Sequence, residues 1–405
     1  MIRRTRPVQL QTGVQWHPVQ SQVRLENDKG LIFHVRIGIN GLLLTGQQGY
    51  RQTGISRYIE RLISALPAAM PDAEILVYAG NDVSLPLGLN GRYTPIPVTN
   101  PAIRIGWEMA ALPLLTRLNR LGLFHGTVNA LPMGLGCPAV VTIHDLALFR
   151  WPEQVPRRRY HYLSRAIRSA VKSADRVLAV SEATKADIVE LLGVDPRKIA
   201  VTPLGVDERF TPPTADRLAT FRGQPEMNVP YLLTVGTLEP RKNLPRLLEA
   251  FAELKDEIPH RLVLVGPEGW RTGAMQDALT RLDLGDRVHF TGFVRDEQLP
   301  LWYAGADVVV VPSIYEGFGL PVVEAMACGA VVVTSNVSSL PEVAGGAALL
   351  IDPSSSGSIA EGIRRILDDS GLRIDLRKKG TLRAREFTWQ RTAEATVAAY
   401  REVLA

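Results

Sequence analysis

The apolar residues of this chain fall into short, nearly unbroken runs instead of alternating with polar ones. Such runs occupy 35–44, 139–143, 177–180, 199–202, 231–235, 262–265, 288–290, 307–311, 330–335 and 348–351. Apolar runs of this length are typical of parallel strands that are covered on both faces. Between runs, apolar residues recur at helical spacing, as Ile55, Ile59 and Leu62 do. The succession of strand-like runs and helical segments along the chain predicts an α/β fold with open parallel sheets.

The runs form two series, which predicts two domains. Residues 213–228 lie between the series and contain prolines and polar residues but no apolar run, so we interpret them as an interdomain linker. A chain of 405 residues is also long for one ordinary domain. We therefore predict two Rossmann-like domains, 35–212 and 229–385, that face a central cleft. We interpret residues 1–34 as a flexible tail and 386–405 as a final helix.

Composition and charge narrow the class of protein. The chain is 46% hydrophobic and 21% charged, which is typical of a globular protein. Its net charge of +5 is mild, and residues 1–34 hold five basic against two acidic residues, or +3 of it. This charge is too small for a general nucleic-acid binder, so we expect no nucleic-acid partner.

Other broad classes are also disfavoured. Cys137 and Cys328 form neither a disulfide framework nor a metal site by their spacing. No apolar stretch has the length of a signal peptide or of a membrane span, so we expect a cytosolic protein. Neither half contains GxGxxG, which argues against a dinucleotide-dependent oxidoreductase.

The most unusual polar residues follow a predicted strand in "IYEGFGLPVVEAMACG" (314–329). Glu316 and Glu324 lie eight positions apart, and Pro321 suits the first turn of a helix between them. The free N–H groups at the start of that helix are a natural site for phosphate. Carboxylates only accept hydrogen bonds when ionised, so sugar hydroxyls are natural partners for this pair. The alternative is that Glu316 is a solvated loop residue and Glu324 only complements the helix dipole.

This segment is similar to the E-x7-E motif of retaining glycosyltransferases of the large fourth family, which have the GT-B fold. The resemblance covers roughly residues 35–405 as an ordered series of motifs. They are the glycine loop ending at Gly54, "TIHD" (142–145), "VLAVSEATKADI", "VTPLGVD", "VGTLEPRKNL", "GFVRDEQLP", "PSIYEGFGLPVVEAMACG" and "FTWQRTA". The resemblance implies two Rossmann-like domains with the active site between them. It also implies that the final helix crosses back onto the first domain.

The resemblance assigns roles to the residues around the two glutamates. It implies that Glu316 binds hydroxyls of the donor hexose and that Glu324 binds the ribose hydroxyls of the nucleotide. It further implies that Phe318, Gly319 and Leu320 present backbone amides to the sugar and the diphosphate.

Three further positions are assigned to the donor in the same way. Val294 lies where the family recognises the nucleobase through its main chain. Gly54 ends a loop that in relatives approaches the donor phosphate or the acceptor. Gly317, like Gly319, permits close approach of the backbone to the ligand.

The resemblance also makes Arg241 and Lys242 clamps for the diphosphate, which neutralise the leaving group as the glycosidic bond breaks. Many members carry Arg where this chain has Thr237, so either Arg241 supplies that charge or Lys242 acts more nearly alone. His144 is expected to contact the donor sugar. Asp145 is expected to support its loop.

No residue is singled out as a nucleophile, so the resemblance implies attack on the same face of the sugar that the leaving group departs from. We expect no metal and no other cofactor. The chain looks most like bacterial mannosyltransferases of surface polysaccharide synthesis, a resemblance that favours GDP-mannose as the donor. UDP- and ADP-hexose donors stay open. A sugar-nucleotide epimerase or hydrolase and a non-catalytic GT-B partner subunit also stay open. Replacing Glu316 by Ala is expected to abolish transfer while largely sparing the fold.

The acceptor, a saccharide or a lipid-linked saccharide, is expected to dock on the first domain. Residues 156–176 are rich in Arg and contain two tyrosines at predicted helical positions. This helix has either a solvated face or a surface that attracts an anionic membrane, which would make the protein peripheral at the inner face of the cell membrane. The oligomeric state stays open.

Overall fold

The structure is a computed structural model that describes residues 35–44, 54–86, 88–224, 228–269 and 272–405. The predicted tail and the glycine loop before Gly54 lie outside the described residues. The first domain contains, in chain order, β1 (Val35–Gly41), α1 (Gly54–Ala69), β2 (Ala73–Ala79), β3 (Asn90–Tyr93), α2 (Pro101–Leu118), β4 (Leu123–Gly126), β5 (Ala139–Ile143), α3 (Ala147–Arg150), α4 (Arg157–Ser173), β6 (Arg176–Ala179), α5 (Glu182–Leu192) and β7 (Ile199–Val201). In this part of the described chain, the seven strands are parallel in the order β3-β2-β1-β4-β5-β6-β7.

The second sheet repeats the plan. The second domain follows α6 (Ala215–Arg222). It contains, in chain order, β8 (Tyr231–Val235), α7 (Leu244–Leu254), β9 (Arg261–Val265), α8 (Gly273–Leu282), β10 (Val288–Gly292), α9 (Leu299–Gly305), β11 (Val308–Val311), α10 (Leu320–Ala327), β12 (Val332–Ser335), α11 (Leu340–Ala344), β13 (Leu349–Ile351), α12 (Ser356–Asp368) and α13 (Ser370–Ala384). Over the residues described, its six strands are parallel in the order β10-β9-β8-β11-β12-β13.

In each sheet the strand order reverses at one place, which lies between β1 and β4 in the first sheet and between β8 and β11 in the second. Ligands of open α/β sheets bind outside the carboxyl ends of the strands at this place. His144 directly follows β5, Arg241 and Lys242 follow β8, and Glu316 follows β11. The topology therefore brings the candidate residues to the ligand-binding edges of the two sheets, and the predicted α/β architecture is confirmed.

Most predicted strands agree with the structure, and β5 and β8 coincide with their apolar runs. The run at 35–44 is only partly a strand, because β1 ends at Gly41 and the chain turns there. The apolar runs did not predict β2, β3 and β4. The range assigned to the linker, 213–228, contains α6, whose buried Phe221 packs against Trp302 of α9 with ring centroids 5.3 Å apart.

The last helix, α14 (Trp389–Leu404), packs against α1 of the first domain. Its buried Tyr400 hydroxyl lies 2.7 Å from Nδ1 of His125 in β4. Thr392 on the same helix donates to the carbonyl of Pro203, at 2.7 Å. The chain thus returns from the second domain and ends on the first. Among the described residues, none of the helices combines the length and apolar character that a bilayer span requires.

Candidate active site

Glu316 is the centre of a buried ion cluster. The residue is only 6% exposed, and its carboxylate binds Nζ of Lys242 at 2.6 Å and the Ser313 hydroxyl at 2.8 Å. Nη1 of Arg241 binds the other carboxylate oxygen. Burial alone would raise the pKa of Glu316, but Arg241 and Lys242 reverse that effect and lower it to about 2. The carboxylate is therefore an acceptor only, and the solvated-loop interpretation of Glu316 is wrong.

The two cations reach Glu316 because the chain turns sharply after β8. Residues Pro240–Lys242 form a 3₁₀ turn, and Asn243 ends it in a left-handed conformation with φ +59°. The Asn243 amide holds the turn by donating to the carbonyls of Pro312 and Pro353, at 3.1 and 2.7 Å. Arg241 is also paired with the buried Glu239. Arg241 and Lys242 thus both contact the same carboxylate, so neither acts without the other nearby.

His144 lies at the facing edge of the first sheet. Its Nε2 lies 2.8 Å from the Thr127 carbonyl and must donate to it, which leaves Nδ1 as an acceptor. Burial lowers the pKa of His144, so the ring is neutral at pH 7. Tyr58 packs edge-on against the ring with centroids 4.7 Å apart. The imidazole is therefore held in one orientation and one tautomer.

Asp145 has the supporting role expected of it, since Oδ1 accepts from the backbone N–H of Ala147 at 3.2 Å. A series of buried polar side chains connects Tyr58 to the final helix. The Tyr58 hydroxyl lies 2.9 Å from Thr142 Oγ1, and Nε2 of His125 lies 2.8 Å from the same oxygen. This series continues to α14 through the Tyr400 contact described above, so the final helix is hydrogen-bonded towards the site.

Glu324 occupies a separate buried position in α10. It is 5% exposed, and Oε2 accepts from the Tyr303 hydroxyl at 2.9 Å. Oε1 lies 3.3 Å from Nη1 of Arg57, which comes from α1 of the first domain. Burial raises the pKa of Glu324, although Arg57 and Tyr303 oppose that shift. Both oxygens of Glu324 thus have a donor, and one of the two donors comes from across the cleft.

The loop between the two glutamates lies against the first domain. A Cβ atom added at Gly317 would lie 1.8 Å from the carbonyl oxygen of His144, so only glycine fits there. The Gly317 carbonyl accepts from the hydroxyls of Ser181 and Thr184, at 2.6 and 3.0 Å. Ser181 also caps α5 by accepting from the backbone N–H of Thr184. Gly317 therefore brings Glu316 next to His144.

The following residues begin α10. Gly319 precedes the helix with φ +104°, a conformation that favours glycine, and Leu320 is its first residue. The Phe318 side chain is buried and packs edge-on against Phe387, with ring centroids 5.5 Å apart. The side chain of Phe318 is thus structural, which leaves its main chain as the part that can face a ligand.

Two predicted donor residues lie apart from these clusters. Val294 lines a cavity of about 680 Å³ between α6, β10 and α9, together with Phe290, Phe293 and Trp302. Gly54 is exposed at the start of α1, three residues before Arg57, and no atom of the described residues lies within 4 Å of a Cβ atom added to it. Within the described part of the chain, neither Val294 nor Gly54 is hydrogen-bonded to the side chain of Glu316 or Glu324.

Several residues of the site could not be found from sequence. The sequence motifs assign no role to Arg57, Tyr303 or Tyr315. Arg57 is also 267 positions away from its partner Glu324 in the chain. Tyr315 donates to Asp187 at 2.7 Å and accepts from the N–H of Leu146 at 2.9 Å, which ties the loop around Glu316 to the first domain. Among the described residues, no group of three or more His, Cys, Asp or Glu side chains could hold a metal ion.

Two family models match the chain, one on each domain. "Glycosyltransferase Family 4" matches residues 52–210, and "Glycosyl transferases group 1" matches residues 217–383. The chain is 32% identical to O-antigen chain mannosyltransferase B of Escherichia coli, over 87% of this chain and 97% of that protein. It is 31% identical to an MMP α-(1→4)-mannosyltransferase of Mycolicibacterium hassiacum, over 67% of each.

Solved structures share the fold at low sequence identity. Sucrose-phosphate synthase of Thermosynechococcus elongatus has a TM-score of 0.73 at 22% identity, covering 91% of this chain and 99% of that one. WaaG, a glycosyltransferase of lipopolysaccharide biosynthesis, has a TM-score of 0.70 at 19% identity, covering 90% and 98%. These neighbours share the two-domain GT-B architecture. With a family model on each domain and a full-length relative above 30% identity, the chain belongs to the group 1, family 4 glycosyltransferases.

Proposed function

We propose that this glycosyltransferase transfers mannose from GDP-mannose to a saccharide or lipid-linked saccharide acceptor, with retention of configuration and without a metal. The observation that carries the proposal is the buried cluster of Glu316, Arg241 and Lys242 at the cleft. Two cations there can receive a diphosphate, and a permanently ionised carboxylate can accept hydrogen bonds from sugar hydroxyls.

The cluster supports a leaving-group role for the cations. Arg241 and Lys242 stand at the carboxyl end of β8, where their charge would offset the charge that develops on the diphosphate as the glycosidic bond breaks. Glu316 is a poor nucleophile, because the Ser313 hydroxyl and both cations hold its oxygens. We therefore propose same-face attack by the acceptor hydroxyl, whose proton passes to the departing phosphate.

His144 supports the same assignment. Its Nε2 proton is committed to the Thr127 carbonyl, so Nδ1 is available as an acceptor. Because burial lowers the pKa of the ring, Nδ1 stays unprotonated at neutral pH. We propose that Nδ1 accepts a hydrogen bond from a hydroxyl of the donor sugar and fixes the sugar for transfer.

The relatives support the proposed choice of donor. Two of the similar proteins named above are mannosyltransferases, and the longer match is an enzyme of O-antigen chains. A solved neighbour, Anabaena HepE, holds UDP and glucose at 20% identity, over 91% of this chain and 100% of that one and with a TM-score of 0.69. A UDP-hexose donor is therefore the alternative that the experiment must separate.

We also propose that the first domain contacts an anionic membrane. In α4, the cations Arg157, Arg158, Arg159, Arg165, Arg168 and Lys172 are all exposed. The first three stand in the first turn of the helix, where the helix dipole disfavours positive charge, so helix stability does not explain them. Helix α2, whose Arg104 and Glu108 lie close enough to act on Tyr162 of α4, exposes Ile103, Met109, Leu114 and Leu118. Exposed cations and exposed apolar side chains on one domain suit the surface of an anionic bilayer.

The test of the donor is calorimetric titration of the protein with GDP, UDP and ADP and with their common hexose conjugates, with EDTA present. We expect selective binding of GDP and GDP-mannose, and transfer of labelled mannose to a mannose-containing oligosaccharide primer. Proton NMR of the product should show the anomeric configuration of the donor.

Each part of the proposal can fail separately. Selective binding of UDP or ADP conjugates would replace the donor but keep the transferase. Turnover of the nucleotide sugar at the same rate without acceptor would favour an epimerase or hydrolase. Loss of transfer with EDTA and its recovery with Mg²⁺ would overturn metal independence, and an inverted anomer would overturn retention.

A further inference from the structure

A chain of ion pairs runs from the first domain into the nucleotide side of the cleft. Arg57 in α1 has a side chain that is 14% exposed. Its Nη2 lies 2.7 Å from Oδ2 of Asp296, in the loop after β10, and its Nη1 lies 3.3 Å from Oε1 of Glu324 in α10. One guanidinium thus joins two acidic residues that come from two different elements of the second domain.

The chain of pairs continues on the first-domain side. Arg209 pairs with Asp296 and with Asp207, both at 3.0 Å. Arg61, one helical turn after Arg57, pairs with Asp207 at 2.5 Å. Asp296 therefore has two arginines, so Arg209 can balance its negative charge without Arg57. Glu324, by contrast, has Arg57 as the single cation within ion-pair distance among the described residues.

The surroundings of Glu324 make it depend on that cation. The groups that face it are Arg57 from α1, Tyr303 from α9, Asp296 from the loop after β10, Asp207 from the segment after β7, and Cys328 from its own helix. Tyr303 is neutral, because burial raises its pKa well above the ordinary value, and the nearby aspartates repel a second negative charge. Without Arg57, this carboxylate, 5% exposed, would keep the burial and the acidic neighbours that raise its pKa but lose the cation that opposes them, so it would take up a proton at a higher pH than in the wild type.

The protonation state matters for hydrogen bonding. An ionised carboxylate can accept from two hydroxyls at once, as a ribose presents them, whereas a protonated carboxyl turns one of its oxygens into a donor. Tyr303 already donates to Oε2 from one side, so Oε1 and the remaining lone pairs are those left to accept from a ribose. The contact with Nη1 fixes the direction of Oε1.

We propose that Arg57 is a positioning residue of the nucleotide site, which the first domain supplies to hold Glu324 ionised and aimed at the ribose. Donor affinity then depends on the closed cleft, because separation of the domains would remove Arg57 from Glu324 and Asp296. The inference rests on the proposed ribose-binding role of Glu324. It does not depend on which base or hexose the donor carries.

The test compares Arg57→Gln and Arg57→Lys with the wild type. The probes are GDP and 2′,3′-dideoxy-GDP, and in parallel UDP and 2′,3′-dideoxy-UDP, titrated between pH 5.5 and 8.5. For Arg57→Gln we expect affinity for the ribonucleotide to fall by about tenfold to a hundredfold at low pH and to recover partly as the pH rises. The preference for ribose over dideoxyribose should shrink, and Arg57→Lys should restore most of it.

Arg36→Gln is the matched control. Arg36 has the same 14% side-chain exposure and pairs with Glu74 at 2.7 Å, but it lies near the start of β1, at the opposite edge of the first sheet. It should show the wild-type pH dependence and ribose preference, whatever its melting temperature. The kcat of Arg57→Gln at saturating donor should change less than its donor KM.

The outcomes separate this inference from the function on which it rests. A ribose preference that Arg57→Gln leaves intact, or an affinity loss that is the same at every pH and in the Arg36 control, would overturn the role of Arg57. No ribose preference in the wild type would overturn the role of Glu324 and this inference with it. No binding of either nucleotide pair by the wild type would overturn the nucleotide-sugar proposal itself.

Discussion

Glu316 and the two cations form an internal ion cluster, which the proposed diphosphate would have to enter. In the structure the Glu316 carboxylate is paired with both Arg241 and Lys242. A diphosphate that binds the same cations must therefore compete with Glu316 or share them with it. Buried ion pairs add little net stability when complete, but removing one partner leaves uncompensated buried charge.

Replacing Glu316 by Ala should therefore affect stability as well as transfer. We expect kcat to fall by at least about a hundredfold, which is typical when one preorganised electrostatic contact is lost. We expect the free energy of unfolding to fall by about 3 kcal/mol, because Arg241 and Lys242 lose their buried partner. The nucleoside diphosphate should then raise the melting temperature more than it does in the wild type, since phosphates pair with the freed cations. Kinetic assays and thermal shifts measure the three effects.

Glu249→Ala is the control for that variant. Glu249 in α7 also pairs with two arginines, Arg246 and Arg281, but on the protein surface. Exposed pairs are worth only about 0–1 kcal/mol, so this variant should be nearly neutral. An unchanged melting temperature for Glu316→Ala would contradict a stabilising role of the cluster and would restore the expectation from sequence that the fold is spared.

The site shows what a sequence can and cannot predict at the scale of residues. The motifs around Glu316, Glu324 and Lys242 are short stretches of adjacent residues that specify a loop and the start of a helix. These three residues could therefore be predicted from the sequence. Arg57 contacts Glu324 only because two domains meet, and no local pattern records a pair 267 positions apart. Tyr315 and Asp187 were missed for the same reason.

At the scale of elements, the apolar runs predicted several fully buried strands, although β2 and β4 were missed despite being largely buried. The residues of β5 and β11 are all buried, and both lie within unbroken apolar runs. The edge strand β3 (Asn90–Tyr93) has the sequence NGRY and is largely exposed, so it carries no apolar signal. Helix α2 was missed because its apolar residues lie on exposed as well as buried faces, which removes the helical period.

The first turn of α4 gives a test of the proposed membrane contact. The triple variant Arg157→Gln, Arg158→Gln and Arg159→Gln should lose about a hundredfold in partition onto vesicles of 30% phosphatidylglycerol in phosphatidylcholine, at roughly 1 kcal/mol for each cation. Because these arginines oppose the helix dipole, the melting temperature should stay the same or rise slightly. Vesicle sedimentation and thermal unfolding measure the two results.

The matched control uses three consecutive exposed cations of the second domain, Arg377, Lys378 and Lys379 in α13. Their replacement by Gln removes the same charge and should leave vesicle binding within about threefold of the wild type. Equal losses in the two triple variants would mean that net charge, and not the α4 surface, governs binding. Equal binding of the wild type to pure phosphatidylcholine would exclude an electrostatic contact.

At the scale of the whole molecule, the structure shows a closed cleft. Glu342 at the start of α11 accepts from the backbone N–H groups of Glu182 and Ala183, the first two residues of α5, at 2.9 and 3.3 Å. Tyr315 and Gly317 add three hydrogen bonds to first-domain side chains, to Asp187, Ser181 and Thr184. The loop around Glu316 is thus held on the first domain by contacts on both sides of Glu316.

Gly317→Ala should open the cleft without disrupting either domain. The new methyl group would lie 1.8 Å from the carbonyl oxygen of His144, so the loop must withdraw from the first domain. Withdrawal separates His144 from Glu316, and we expect kcat to fall by about a hundredfold, as small displacements of reacting groups do. Nucleotide affinity should fall only as far as in Arg57→Gln, because the opened cleft removes Arg57 while the second domain stays intact. X-ray scattering should show a larger radius of gyration than that of Gly273→Ala, whose site at the start of α8 has open space. Wild-type scattering and kcat in Gly317→Ala would mean that closure of the loop on His144 is not required for transfer.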